Sequence, residues 1–286
     1  MTNWLFEVPD DAEPPASAEF KLSITRALAD QLAEALQALR PAPLDAEQLA
    51  MLKDRPGVYE LYVKRERVYV GKASKSLPDR LSNHLRKLSG RQQIDLAEVC
   101  FICLYVDEDL EAAAPEKMLI KKYRDHGGSP WNTMGFGNKD PGRNRDHSLV
   151  KAKHFDAEYP IDLDRTIPEL ANHLRPVEDL LHDIKARLPY NLRFETKNKI
   201  KQELIDAHIA IPAGELSVRR VIGLVLNALP EGWQATALPG YVILYNESTN
   251  YRSALVYWRK VDGRVEEYVG DQRLDPRGGA VESDDD

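Results

Sequence analysis

The stretch that decides the fold is Gly57-Val58-Tyr59-Glu60-Leu61-Tyr62-Val63-Lys64-Arg65-Glu66-Arg67-Val68-Tyr69-Val70-Gly71. Its two ends, Gly57 to Val63 and Val68 to Lys72, alternate and are rich in β-branched and aromatic residues. That pattern predicts a hairpin with Lys64-Arg65-Glu66-Arg67 as its charged turn. Loop length then fixes side-chain parity. An odd number of loop residues places Tyr59 and Tyr69 on one sheet face, whereas a two- or four-residue loop places Tyr59 with Lys72 instead.

The next segment reads as a helix with Ser76 as its cap, Pro78 near its first position and Gly90 at its end. Leu81, Leu85 and Leu88 form its core stripe. Arg80 and His84, four residues apart, share a different face that Lys87 continues. Val99 to Val106 is a third strand, apolar enough to be central. A second helix runs from Pro115 to Asp125 and stops at Gly127-Gly128. Its Glu116 shares a stripe with Leu119, Ile120 and Tyr123. A carboxylate there is costly unless paired or bound to a cation. A glutamate near a helix N-terminus is also favoured by the dipole, by ~0.3–1 kcal/mol. Trp131-Asn132 follows, and then the loop Gly135-Phe136-Gly137-Asn138-Lys139-Asp140-Pro141-Gly142-Arg143.

Around this unit the chain divides. Residues 1–17 are acidic and Pro-rich and read as a mobile arm. Residues 18–50 hold a helical element in which Leu28, Leu32, Ala35 and Leu36 recur at helical spacing, packed on the 51–167 unit. Residues 168–270 predict a second α+β domain. Its expected helices are Glu169–Arg187, Lys197–His208 and Ser217–Leu229, and its expected strands are Tyr241–Tyr245, Ala254–Lys260 and Val265–Val269. No repeat and no catalytic motif is read there. Residues 271–286 form an acidic tail, expected to be disordered. The expected fold class is therefore α+β in two domains.

The chain has 286 residues, a formal net charge of -7 and 43% hydrophobic residues. No apolar run approaches the ~18 residues of a membrane span. Two cysteines, Cys100 and Cys103, do not make a disulfide framework, and a cytoplasmic protein is expected. Their CxxC spacing falls on a strand, where positions three apart face opposite ways, so no zinc site is expected. Charge is segregated. Basic residues exceed acidic ones by seven between Lys53 and Arg91 and by five between Glu116 and Phe155, while residues 262–286 are acidic by six. A local phosphate-binding surface on an otherwise acidic protein follows from that pattern.

In this order, Gly57-Val58-Tyr59, Tyr69-Val70-Gly71, Arg80, His84, Glu116 and Asn132 resemble the GIY-YIG nucleases. The run Gly-Phe-Gly-Asn-Lys-Asp-Pro-Gly-Arg is similar to that of the short GIY-YIG type II restriction endonucleases, the group that cuts GC-rich palindromes such as CCGCGG. The resemblance covers Leu52 to Tyr159. It implies a three-stranded antiparallel sheet flanked by helices, and Mg²⁺ (or Mn²⁺) dependent hydrolysis of double-stranded DNA. It also implies a homodimer on DNA and, for a restriction role, a companion methyltransferase. Tyr59 is the candidate general base or water-orienting group, with Tyr69 beside it. A phenol has a reference pKa of ~10, so it needs a partner to take its proton, and Lys72 and His84 are the candidates. Glu116 is the candidate metal ligand, Arg80 the phosphate clamp, His84 the proton carrier and Asn132 a framing residue. Lys75, Lys87, Asn138, Lys139, Arg143 and Arg145 are candidate DNA contacts. The chain departs from the restriction branch in the short spacing between its tyrosine motifs and in everything after Arg165. Rival readings are a nicking or structure-specific nuclease in repair, mobile-element or phage-defence roles, and a non-catalytic DNA-binding module. A protein-partner role for the C-terminal unit is a third.

Overall fold

The computed structural model describes residues 23–106, 115–124, 128–137, 142–196 and 198–277. The arm expected over residues 1–17, Asn138, Lys139 and the end of the expected tail lie outside them. Ser23 caps α1 (Ile24–Gln37) by accepting from the amide of Arg26. After it come β1 (Ala42–Pro43), α2 (Ala46–Ala50), β2 (Gly57–Val63), β3 (Glu66–Ala73) and α3 (Leu77–Ser89). Then follow β4 (Val99–Tyr105), α4 (Pro115–Tyr123) and α5 (Pro130–Thr133). The strands form one antiparallel sheet in the order β1-β4-β2-β3. It has four strands rather than three, because Ala42 and Pro43 pair with Phe101 and Cys100. As expected, β4 is interior to the sheet, though β1 covers it at two positions only, while β2 is flanked along its whole length.

The hairpin turn has two residues, Lys64 (φ 51°) and Arg65 (φ 70°), both left-handed as a twist-matched tight turn requires. That length alone would set Tyr59 beside Lys72. A β-bulge reverses the outcome. Tyr62 pairs with Arg67 but Leu61 pairs with Tyr69, so Val68 is an extra residue. Past the bulge, Tyr59, Leu61, Tyr69 and Gly71 share one face, and Lys72, opposite Val58, points to the other. The tyrosine face packs on Leu77, Leu81 and Leu88 of α3. The other face, with Val58, Val70 and Ile102, packs on Leu32 and Leu36 of α1 and Leu119 and Tyr123 of α4.

Beyond α5 the chain runs through β5 (Val150–Lys151) and α6 (Phe155–Glu158) into a second α+β unit. That unit contains β6 (Thr166–Ile167), β7 (Arg175–Pro176), α7 (Val177–Arg187), β8 (Asn191–Phe194), α8 (Asn198–Asp206), β9 (His208–Ile209), β10 (Leu216–Ser217) and α9 (Val218–Ala228). It ends with β11 (Trp233–Leu238), β12 (Tyr241–Asn246), β13 (Val256–Val261), β14 (Arg264–Val269) and β15 (Leu274–Asp275). The main sheet runs β14-β13-β11-β12-β8, with only β12–β8 parallel.

Three expectations change here. The first helix starts at Val177 and not at Glu169, because Pro176 sits at its cap and the residue before a proline avoids the helical region. The C-terminal core includes Ile161 and Leu163, so this unit begins before residue 168. Leu274 and Asp275 pair in parallel with Val150 and Lys151, so residues 271–277 are built into the fold rather than forming a free tail.

The unit also contains a repeat that was not expected. Val177, Leu180, Leu181, Ile184 and the pair Leu188-Pro189 recur as Val218, Val221, Ile222, Val225 and Leu229-Pro230. In both copies a two-residue strand leads into an 11-residue helix, then Leu-Pro, then a sheet strand. The short strands are exchanged. The one before α7 pairs with β9, between the two copies, and the one before α9 pairs back with β6. The repeated apolar positions are buried in one core.

Two buried carboxylates join the units. Asp146, 2% exposed, accepts from Arg193 at 2.6 Å, Tyr241 Oη at 2.8 Å and Tyr245 Oη at 3.4 Å. Asp156, 5% exposed, lies between Arg91 of the first unit and Gly240 of the second. Among the described residues no helix is long and apolar enough to cross a membrane. Removing a buried charge from a satisfied cluster strands its partner. Asp146→Ala is therefore expected to destabilise the chain by about 3–5 kcal/mol, measured by urea denaturation, with the C-terminal unit separating from the first in the transition. An unchanged midpoint would contradict this.

Candidate active site

Glycine is required at both ends of the deciding stretch for a packing reason. A Cβ at Gly57 would lie 2.2 Å from the Leu104 carbonyl oxygen, on the neighbouring strand. A Cβ at Gly71 would lie 2.3 Å from Tyr59 Oη and 2.7 Å from the Tyr69 ring. The bare backbone of Gly71 is thus the wall against which the Tyr59 hydroxyl sits.

That hydroxyl is 2.6 Å from His84 Nε2 and accepts from Arg80 Nε at 3.2 Å. Burial, and then the charges of Arg80 and Lys87, hold the imidazole of His84 well below its usual pKa, so it is neutral near pH 7. In the tautomer that carries its proton on Nδ1, Nε2 accepts from the phenol hydroxyl. Of the two candidate proton acceptors for Tyr59, the geometry selects His84. Lys72 is on the opposite sheet face. His84 itself was expected on a polar helix face away from the leucines. It is 4% exposed and buried together with Leu77, Leu81 and Leu88.

Aromatic rings enclose this pair. Tyr69 lies 6.1 Å from Tyr59 and 5.4 Å from His84 between ring centroids. Phe136 stacks on the His84 imidazole at 4.8 Å and 22° and meets Tyr69 edge-on at 5.0 Å. Trp131 backs Phe136 at 4.9 Å. Phe136 belongs to the Gly-Phe-Gly run, yet nothing in its spacing marked it as the partner of the histidine.

Asn132 frames the site through backbone. Its Oδ1 accepts from Val70 N at 2.9 Å and its Nδ2 donates to Val70 O at 2.8 Å. Strand β3 is the sheet edge. One amide thus satisfies both outward-facing groups of an edge residue and fixes α5 beside Tyr69 and Gly71.

Glu116 is on α4, which packs on α1 and β3. It is 7% exposed, and its Oε2 is sealed from solvent with no hydrogen-bond partner. A buried, unsatisfied carboxylate oxygen is the kind of group a cation compensates. Among the described residues no group of three or more His, Cys, Asp or Glu side chains gathers as a metal cluster. Cys100 and Cys103 are free thiols.

No protein-family model matches this chain, and no curated protein matches it.

The basic candidates divide. Lys75 is exposed at the start of α3. Lys87 points inward and donates to the Phe136 carbonyl, and burial pushes its ammonium down to about 8 against the pull of Asp156. Arg145 donates to Asp156 Oδ2 at 2.7 Å. Arg143 pairs with Glu195 at 3.2 Å and lies over the Tyr245 ring at 4.2 Å. Lys87, Arg143 and Arg145, expected at a DNA surface, are thus engaged in contacts within the chain. Arg143 meets Glu195 and Tyr245 of the second unit, whereas Arg145 meets Asp156 nearby in sequence.

The two glycines give a contrast that can be measured. Gly57→Ala drives a Cβ into backbone and is expected to lower stability by roughly 1–3 kcal/mol. Gly71→Ala meets side chains instead. It is expected to displace Tyr59 from His84, visible as a changed His84 imidazole resonance in a folded protein. A His84 signal identical to that of the native chain in Gly71→Ala would contradict the packing described.

Proposed function

We propose that this chain is a Mg²⁺-dependent double-strand DNA endonuclease of the GIY-YIG kind, with a role like that of the type II restriction enzymes. The observation that carries this reading is the Tyr59 hydroxyl held between a neutral imidazole and a guanidinium. In that setting the Tyr59 oxygen would take a proton from water as it passes its own proton to His84 Nε2, with Arg80 donating to that oxygen throughout. The water oxygen forms a bond to phosphorus, and the bond from phosphorus to the leaving sugar oxygen breaks. His84, now protonated, is the nearest store of a proton for the leaving side. Arg80, partly buried beside the Tyr59 hydroxyl, would engage a phosphate oxygen as charge develops.

Glu116 would be the residue to hold the divalent ion, from the α4 stripe that packs on the sheet face opposite Tyr59. When bound, the ion supplies charge neutralisation on the phosphate. Cutting both strands requires two such sites, hence two copies of the chain on DNA.

The test is incubation of unmethylated plasmid with the purified chain and Mg²⁺, beside Glu116→Gln and an EDTA control. Discrete double-strand fragments from the native chain alone are expected, with Glu116→Gln slower by at least about 10²-fold. Nicked circles only would favour a nicking role. Binding without cutting by the native chain would contradict the enzyme reading.

The pH dependence has a definite sign. His84 must be neutral to accept a proton, and its pKa lies well below the usual imidazole value of ~6.5. Cutting is expected to persist as pH falls through 6.5 and to fail only at more acidic values. Loss of activity centred near 6.5, in protein shown to be folded at that pH, would contradict a neutral buried His84.

A further inference from the structure

His84 does not stand alone on its helix. Lys87, one turn further along α3, donates its ammonium to the Phe136 carbonyl. The same ammonium lies over the rings of Phe136 at 4.8 Å and Phe155 at 5.2 Å. Phe136 is the ring stacked on His84. Behind Lys87 is the carboxylate of Asp156. It accepts from Arg91 at 3.0 Å and Arg145 at 2.7 Å, with His154 Nδ1 at 3.6 Å. Burial alone would raise the Asp156 carboxyl. Arg91, Lys87 and Arg145 outweigh that and hold it below the usual carboxylate range.

The second unit closes on this cluster from the far side. Arg91 also donates to the Pro239 carbonyl at 3.3 Å, in the turn between β11 and β12. A Cβ at Gly240, the next residue, would lie 2.4 Å from Asp156 Oδ2. The Pro239-Gly240 turn thus meets Arg91 and Asp156, the charge of Asp156 acts on Lys87, and Lys87 holds the Phe136 that stacks on His84.

We propose that Lys87 and Asp156 are positioning residues through which the C-terminal unit holds the Phe136 ring against His84. The C-terminal unit is then part of the active-site scaffold and not a detachable appendage. The proposal rests on the nuclease reading for its catalytic consequence only. The geometric link to His84 stands apart from it. The charged and titratable groups facing His84 are Tyr59 from β2, Tyr69 from β3, and Arg80 and Lys87 from α3. Of these, Lys87 is the one on which the charge of Asp156 acts.

The test reads the His84 imidazole by NMR across pH in the full chain, a measurement that needs no cleavage. Lys87→Met removes a nearby cation and the hold on Phe136. The His84 titration midpoint is expected to move upward, and Lys87→Arg is expected to restore it. Gly240→Ala, which acts on Asp156 from the other unit, is expected to perturb the same resonance. In DNA cleavage, Lys87→Met is expected to lower kcat by about 10²-fold with KM for DNA unchanged. An unmoved His84 titration in folded Lys87→Met, or in folded Gly240→Ala if the first variant does not fold, overturns the proposal. A native chain that cuts no DNA, while the variants still move His84, supports the positioning role and removes the nuclease reading.

Discussion

The contact between the Tyr59 hydroxyl and His84 Nε2 is the constraint that the rest of the first unit serves. A 2.6 Å contact between two buried polar groups tolerates little error in either backbone. Strand β2 fixes one partner and α3 the other. The absence of a side chain at Gly71 opens the space in which they meet, and the bulge at Val68 turns Tyr69 to the same side. Without the bulge, Lys72 would take that side. The site is thus set by one extra residue in one strand.

The same polar pair explains the density of aromatic and charged packing around it. An imidazole taken out of water is kept neutral by burial and by adjacent cations. Those cations need partners of their own. Lys87 finds the Phe136 carbonyl, and Arg91 and Arg145 find Asp156. Buried charge of this kind adds little net stability over an apolar alternative, but breaking one member is costly. Such a network therefore serves better to fix geometry than to stabilise. It also explains how the second unit acquires a hold on the site, because Asp156 is backed by Gly240 of its sheet.

Much of the first unit was legible in the sequence. The alternation of Gly57 to Val63, the Ser76 cap, the Gly90 stop and the burial of Glu116 on its apolar stripe all follow from local patterns, and the structure has them. The bulge was not legible, because Val68 is as suited to a regular strand as to an extra residue. The burial of His84 was missed because a histidine beside an arginine reads as a polar face, and only the partner strand shows that its face is covered. In the second unit, Pro176 ends the extended segment where helical periodicity alone suggested a longer helix. The internal repeat was hidden because its two copies share apolar positions and Leu-Pro, and nearly nothing at exposed sites. The basic runs were read as DNA surface, and the partners that Lys87 and Arg143 also meet, Phe136, Glu195 and Tyr245, lie in no local window.

In the proposed nuclease reaction the Tyr59 oxygen, beside His84 and Arg80, accepts the proton of the attacking water. Tyr59→Phe tests it most directly, since the change removes one oxygen and leaves the ring and its packing. Cleavage of plasmid by this variant with Mg²⁺, in protein shown to bind DNA as the native chain does, is expected to fall by at least about 10²-fold. Native-like cleavage by Tyr59→Phe would contradict the account.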